Sequence, residues 1–141
     1  MGLIFWGSSA ALSAENTSPL FESVLGWLAG DLSPETIQSV IFVIRKGAHL
    51  AEYGILAALI WRGLRSTGLS PDHAWNWRLA RLAVCLAALY AATDELHQSL
   101  VPSRTGSATD ILIDSVGAIL GALILHRWGI WSKWWPVKPE K

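Results

Sequence analysis

The chain has 141 residues, 52% of them apolar and 16% charged, with nine Trp and a mean hydropathy of +0.36. An average soluble domain carries about 25% charged residues, so the composition points to a polytopic membrane protein rather than a soluble bundle. Eleven Lys+Arg balance eleven Asp+Glu; no global field invites nucleic acid, and nucleic-acid binding is not expected. The single cysteine, Cys85, has no internal disulfide partner and reads as a small packing residue deep in an apolar run.

In chain order, residues 3–12 are apolar but too few to span a bilayer, and read as the end of a short or truncated N-terminal helix. Residues 20–29 fit a helix lying on the interface. Ser33-Pro34-Glu35 is a helix start: serine suits the N-cap, proline the first turn and glutamate the positive end of the dipole. The first full span is predicted to run from there to about Trp61. Residues 62–78 form a loop, a second span covers about Leu79–Leu100, and Pro102 ends it. After a short loop, a third span covers about Asp110–Trp128. The predicted fold is an all-α, polytopic transmembrane bundle of three full spans plus the N-terminal remnant. It forms one domain over 1–141, with a core at about 4–125 and an aromatic, basic tail at 126–141.

Charge asymmetry sets an expected orientation. Arg62, Arg65, Arg78, Arg81, Arg127, Lys133, Lys138 and Lys141 lie on one side with only Asp72 and Glu140. The other side holds Arg45, Lys46 and Arg104 with nine carboxylates. The basic side, including the C-terminus, is expected in the cytoplasm. Seven Trp (61, 75, 77, 128, 131, 134, 135) fall on or near it, as an anchoring aromatic belt would. His73 and His126 are expected there as solvent or interface histidines.

Three sequence-distant polar groups are then expected to meet at the outer rim of the bundle. At 3.6 residues per turn, Arg45, His49 and Glu52 form one stripe, with Lys46 and Tyr53 beside it. Tyr90, Asp94, His97 and Gln98 form a second, flanked by Glu95. Asp110 and Asp114 share a third with Gly117 and Gly121, whose small-xxx-small spacing allows close helix approach. Ionisable groups at membrane depth are costly and usually face a protein interior or a wet cavity. The cluster fits three uses. It can be an interhelix ion-pair network. It can bind an anion, with Arg45, Lys46 and Arg104 near helix N-termini taking a phosphate or carboxylate at the headgroup level. It can be catalytic, with His49 or His97 as general base among Glu52, Asp94 and Glu95. The pairs His49-x-x-Glu52 and Asp94-x-x-His97 also place metal-ligand types one turn apart, a weak signal that leaves any metal or cofactor unspecified.

These residues carry a resemblance. "IRKGAHLAEYGILAAL" (44–59) and "YAATDELHQSLVPSRTGSATDILIDSVGAILG" (90–121), with "IFWGSS" (4–9), resemble the VanZ-like family of small bacterial membrane proteins, over about residues 4–125. The resemblance implies a helical bundle in the bacterial cell (inner) membrane and a family named for teicoplanin tolerance. It implies that Arg45, Lys46, His49, Glu52, Tyr53, Asp94, Glu95, His97, Gln98, Arg104, Asp110 and Asp114 are the functional positions. It carries no catalytic activity. The favoured expectation is that the outer cluster binds an anionic envelope lipid, a lipid-linked cell-wall precursor or a lipoglycopeptide. The alternative is a hydrolase or transferase acting on a lipid-linked envelope substrate.

Overall fold

The computed structural model describes residues 19, 23–24, 26–27, 33–69, 75–100 and 107–132. The expected N-terminal helix remnant, Arg104, His73 and the tail beyond Ser132 lie outside the described residues. Three long helices carry the fold: α1 (Pro34–Leu64), α2 (Trp77–Ser99) and α3 (Ala108–Trp131). A single π-helical turn, Arg65–Leu69, closes α1.

A capping residue precedes each helix. Ser33 caps α1, its hydroxyl oxygen accepting from the Thr36 amide, with Pro34 in the first turn. Asn76 caps α2, its side-chain oxygen accepting from the amides of Arg78 and Leu79. Ser107 caps α3 by accepting from the Thr109 amide. Such caps occupy backbone donors that a helix start otherwise leaves unpaired.

The helices pack as a trio, with α1 against α3 the most extensive contact. Glycine makes that contact possible. An added Cβ at Gly117 would sit 2.8 Å from the Leu50 Cα, and one at Gly121 would sit 2.6 Å from the Gly54 carbonyl carbon. The small-xxx-small stripe expected on the third helix therefore packs backbone to backbone on α1, with Gly54 as its counterpart. Above and below, the core is thin and alanine-rich: Ala57, Ala83, Ala87, Ala91 and Ala118 are fully buried, with Tyr53 as the one large side chain at 0% exposure.

Polarity runs opposite to that of a soluble domain. Asp94, Glu95, Gln98 and Asp114 are buried, while Ile55, Leu59, Leu89, Leu112 and Ile124 are each at least 60% exposed. Among the described residues, one helix, Ala108–Trp131, is long and apolar enough to cross a membrane, with a mean hydropathy of 1.9. The sequence predicts three. The other two helices carry Arg45, Lys46, Glu52 and Arg62, or Arg78, Arg81, Asp94 and Glu95, and these dilute their apolar content.

Two expectations change at the other end of the bundle. Trp61 is only 4% exposed; it stacks on Trp75 with ring centroids 4.7 Å apart. Trp75 and Trp77 then hold the His126 ring at 4.8 and 4.6 Å. These rings join the α1, α2 and α3 ends to one another; Trp61 is buried and Trp75 half-buried, whereas Trp77, Trp128 and Trp131 remain exposed. Cys85 is exposed on α2 rather than deep in the packing.

Candidate functional site

The polar cluster forms at the end of the bundle where α1 is in its middle turns, α2 ends and α3 begins. Two charge contacts tie α1 to α3. The Lys46 ammonium pairs with Asp110 Oδ1. One turn on, His49 Nδ1 lies 3.4 Å from Asp114 Oδ1. The i, i+3 step from Lys46 to His49 matches the i, i+4 step from Asp110 to Asp114, so the two pairs stack along the shared seam.

A third contact set ties α2 in. Asp94 Oδ2 accepts from Gln98 Nε2 at 3.0 Å and from the Tyr53 hydroxyl at 3.5 Å. Tyr53 thereby joins α1 to α2 through a wholly buried phenol. Glu95 turns the other way around the helix end, where its Oε2 accepts from the Ser107 amide at 2.7 Å. That carboxylate sits at the positive end of α3 and holds its N-terminus beside the end of α2. Glu95→Ala is expected to lower stability by about 1–2 kcal/mol, the cost of a lost charged cap on a buried amide. Glu95→Gln should recover part of it. Thermal unfolding in detergent measures both.

The acceptors outnumber the donors. Asp94 Oδ1, Glu95 Oε1 and both Asp114 oxygens are buried and make no hydrogen bond among the described residues. Asp114 is 1% exposed and has only the longer His49 contact. Buried polar atoms without partners are rare and need an account.

The site residues expected from the sequence divide as follows. Lys46, His49, Tyr53, Asp94, Glu95, Gln98, Asp110 and Asp114 are brought together. Arg45 and His97 are half-buried, as Lys46 and His49 are. Glu52 is exposed, so the inward face of α1 is Lys46–His49–Tyr53 and not the expected Arg45–His49–Glu52 stripe. The packing of Gly54 on Gly117 and Gly121 fixes that rotation. Glu52 is exposed beside His49, and His97 is half-buried beside a buried Asp94. Among the described residues, no group of three or more His, Cys, Asp or Glu side chains could hold a metal ion.

Two features escaped the sequence reading. The Glu95–Ser107 cap joins residues across a loop, and only Ser107 as an N-cap type signalled it. The ring cluster around His126 joins all three helices, and its signal was the run Trp75-Asn76-Trp77 ahead of a helix start.

The polar positions at these spacings are those on which the resemblance rested. No curated protein and no solved structure matches the chain. A family model described as VanZ/LLP1 matches residues 1–131. With a match over nearly its whole length, this chain belongs to the VanZ/LLP1 family.

Proposed function

We propose that this is a three-span membrane protein with its C-terminus in the cytoplasm, whose outer-end polar cluster binds the head group of an anionic envelope lipid or lipid-linked ligand. One observation carries the reading: four buried carboxylate oxygens, on Asp94, Glu95 and Asp114, make no hydrogen bond among the described residues. Those acceptors leave room for donors beyond the described residues, and a bound head group is one source. Hydroxyl or amine groups on a head group meet that need, and the cations beside the cluster on the first helix (Arg45 and Lys46) meet its phosphate or carboxylate, with Arg104 of the following loop as a further candidate from the sequence. The outward-facing leucines and isoleucines support lipid around the bundle. The charge asymmetry of the loops supports the orientation. Asp114 beside His49 Nδ1 favours a second reading, in which Asp114 orients His49 as the general base of a hydrolase or transferase on a lipid-linked substrate.

The direct test reconstitutes the full chain in phosphatidylcholine vesicles and titrates in phosphatidylglycerol, whose head group carries both a phosphate and hydroxyls. Saturable binding that is preferred over phosphatidylcholine is expected. Equal affinity for the two lipids refutes head-group recognition, and release of a modified head group establishes the second reading. In a sensitive host, the wild-type chain is expected to raise teicoplanin tolerance, and Asp94→Asn, matched for protein in the membrane, is expected not to. If both raise it equally, Asp94 is outside the site; if neither does, this chain does not act on teicoplanin.

A further inference from the structure

An apolar groove of about 520 Å³ runs along the outside of the α1–α3 seam, from Gly47 and Leu50 at the polar end to Ala58, Ile124 and Trp128. We infer that this groove holds one acyl chain of the lipid whose head group the polar cluster binds; the inference rests on the reading proposed above.

Three observations point to that occupant. The first is continuity. Gly47 lies between Lys46 and His49, and Gly117 one turn beyond Asp114, so the groove starts alongside the Lys46–Asp110 and His49–Asp114 pairs and runs away from them. The second is length. Gly47 to Ala58 on α1 and Gly117 to Trp128 on α3 are both eleven steps, or ~16 Å at 1.5 Å per residue. That is half of a hydrocarbon core of ~30 Å, the depth of one leaflet. An acyl chain fits this length, and a long polyprenyl chain would overrun it. The third is Gly47 itself. Unlike Gly117 and Gly121, it would meet nothing within 4 Å if it carried a Cβ. A glycine inside a helix is unfavourable relative to alanine, and no neighbour among the described residues requires one here. Its bare backbone keeps the mouth of the groove open where a chain must bend from head group to tail.

The test uses the full chain in phosphatidylethanolamine vesicles containing phosphatidylglycerol with a photoactivatable diazirine on one acyl chain. After illumination, adducts are mapped by peptide mass. They are expected to concentrate on the two groove segments, 47–58 and 117–128. Gly47→Trp is expected to reduce them at least fivefold; Gly47→Leu, which fills less of the mouth, should have an intermediate effect. Leu89→Trp, on the exposed face of α2, should leave them unchanged. Unfolding in detergent establishes that each variant is folded; the space around Gly47 makes its replacement tolerable.

Labelling spread evenly over groove and α2 face would overturn the inference, because it would mark ordinary surrounding lipid. So would groove labelling that survives Gly47→Trp. Efficient copy-to-copy crosslinking through Ala51→Cys, or crosslinking of the groove to residues 3–12, would also overturn it by showing a protein occupant. Competition separates this inference from the head-group reading. If unlabelled phosphatidylglycerol and phosphatidylcholine displace the groove label equally well, the acyl site stands and head-group recognition fails. If phosphatidylglycerol is preferred in titration but labelling is even, head-group recognition stands and the acyl site fails.

Discussion

Gly121→Leu is expected to leave the chain without a packed three-helix bundle. A Cβ at this position would lie 2.5 Å from the Gly54 Cα and 2.6 Å from the Gly54 carbonyl carbon. Both are backbone atoms, so no rotamer change can make room; α1 and α3 must move apart. Extra methylenes in a well-packed core cost about 1–3 kcal/mol, and Gly121→Ala should sit at the top of that range. Leucine adds three more carbons in the same direction. Separation of the helices would also pull Lys46 from Asp110 and His49 from Asp114, so the polar cluster falls with the seam. Gly63→Ala is the matched control: nothing lies within 4 Å of its added Cβ, and the expected change is neutral or a gain of up to ~1 kcal/mol from helix propensity. Thermal and denaturant unfolding in detergent, together with crosslinking between cysteines placed on α1 and α3, separates the three outcomes. A folded Gly121→Leu bundle with the crosslink intact would mean that the seam is looser than the geometry says.

The first helix start was legible because its signal is local: Ser33-Pro34 is an N-cap and first-turn pair, and Ser33 acts on an amide three residues away. The starts of α2 and α3 were placed two residues late, at about Leu79 and Asp110, because their caps, Asn76 and Ser107, sit in polar loops rich in cap-type residues. Gly117 and Gly121 were legible as Ser33 was: their spacing alone defines a face. The rotation of α1 was less so. His49 lies within one helical turn of both Lys46 and Glu52, which flank it on either side, and periodicity offers no way to choose between them. The choice is made by Gly54, whose contact with α3 turns Tyr53 inward and Glu52 outward. That is a tertiary fact with no local signature. The ring cluster shows the same limit: abundant Trp near a presumed membrane boundary read as a belt, but Trp61 is buried by a partner fourteen residues away across a loop.

The interior of the bundle explains why its polar residues survive there. A soluble domain of this size would fill its centre with leucine; here the centre is mostly alanine and glycine, with Leu56 and Leu79 buried, while Leu59, Leu89, Leu96 and Leu112 face outward. Close backbone approach through small residues is how helices associate when the surroundings are as apolar as their own side chains. Polar contacts between helices then add specificity, as Tyr53 and Gln98 do at Asp94. By that logic a fully structural network would be satisfied throughout. Asp94 and Glu95 meet the condition with one oxygen each, and Asp114 with neither.

Asp114→Asn is therefore expected to raise stability while it lowers ligand binding. The carboxylate is 1% exposed, makes no hydrogen bond among the described residues, and has His49 Nδ1 at 3.4 Å as its one ion-pair contact among them. Burying a charge without good partners is unfavourable, and a neutral amide of the same shape relieves most of that cost, with an expected gain of about 1 kcal/mol. The same change removes the strongest acceptor offered to a head-group hydroxyl or amine. A charged hydrogen bond contributes about 1.5–3 kcal/mol, so affinity for phosphatidylglycerol should fall at least tenfold. Asp94→Asn should behave in the opposite way toward the fold. It weakens the acceptor for both Gln98 and Tyr53, and should lower stability by about 1 kcal/mol. Unfolding in detergent and lipid titration in vesicles, done on both variants, give four numbers with four expected signs. A gain in stability with a loss of binding at Asp114 is the mark of a group held in an unfavourable state for use. If Asp114→Asn instead loses stability and binds lipid as the wild type does, the cluster is an ion-pair network that holds three helices together, and the head-group site must be sought elsewhere.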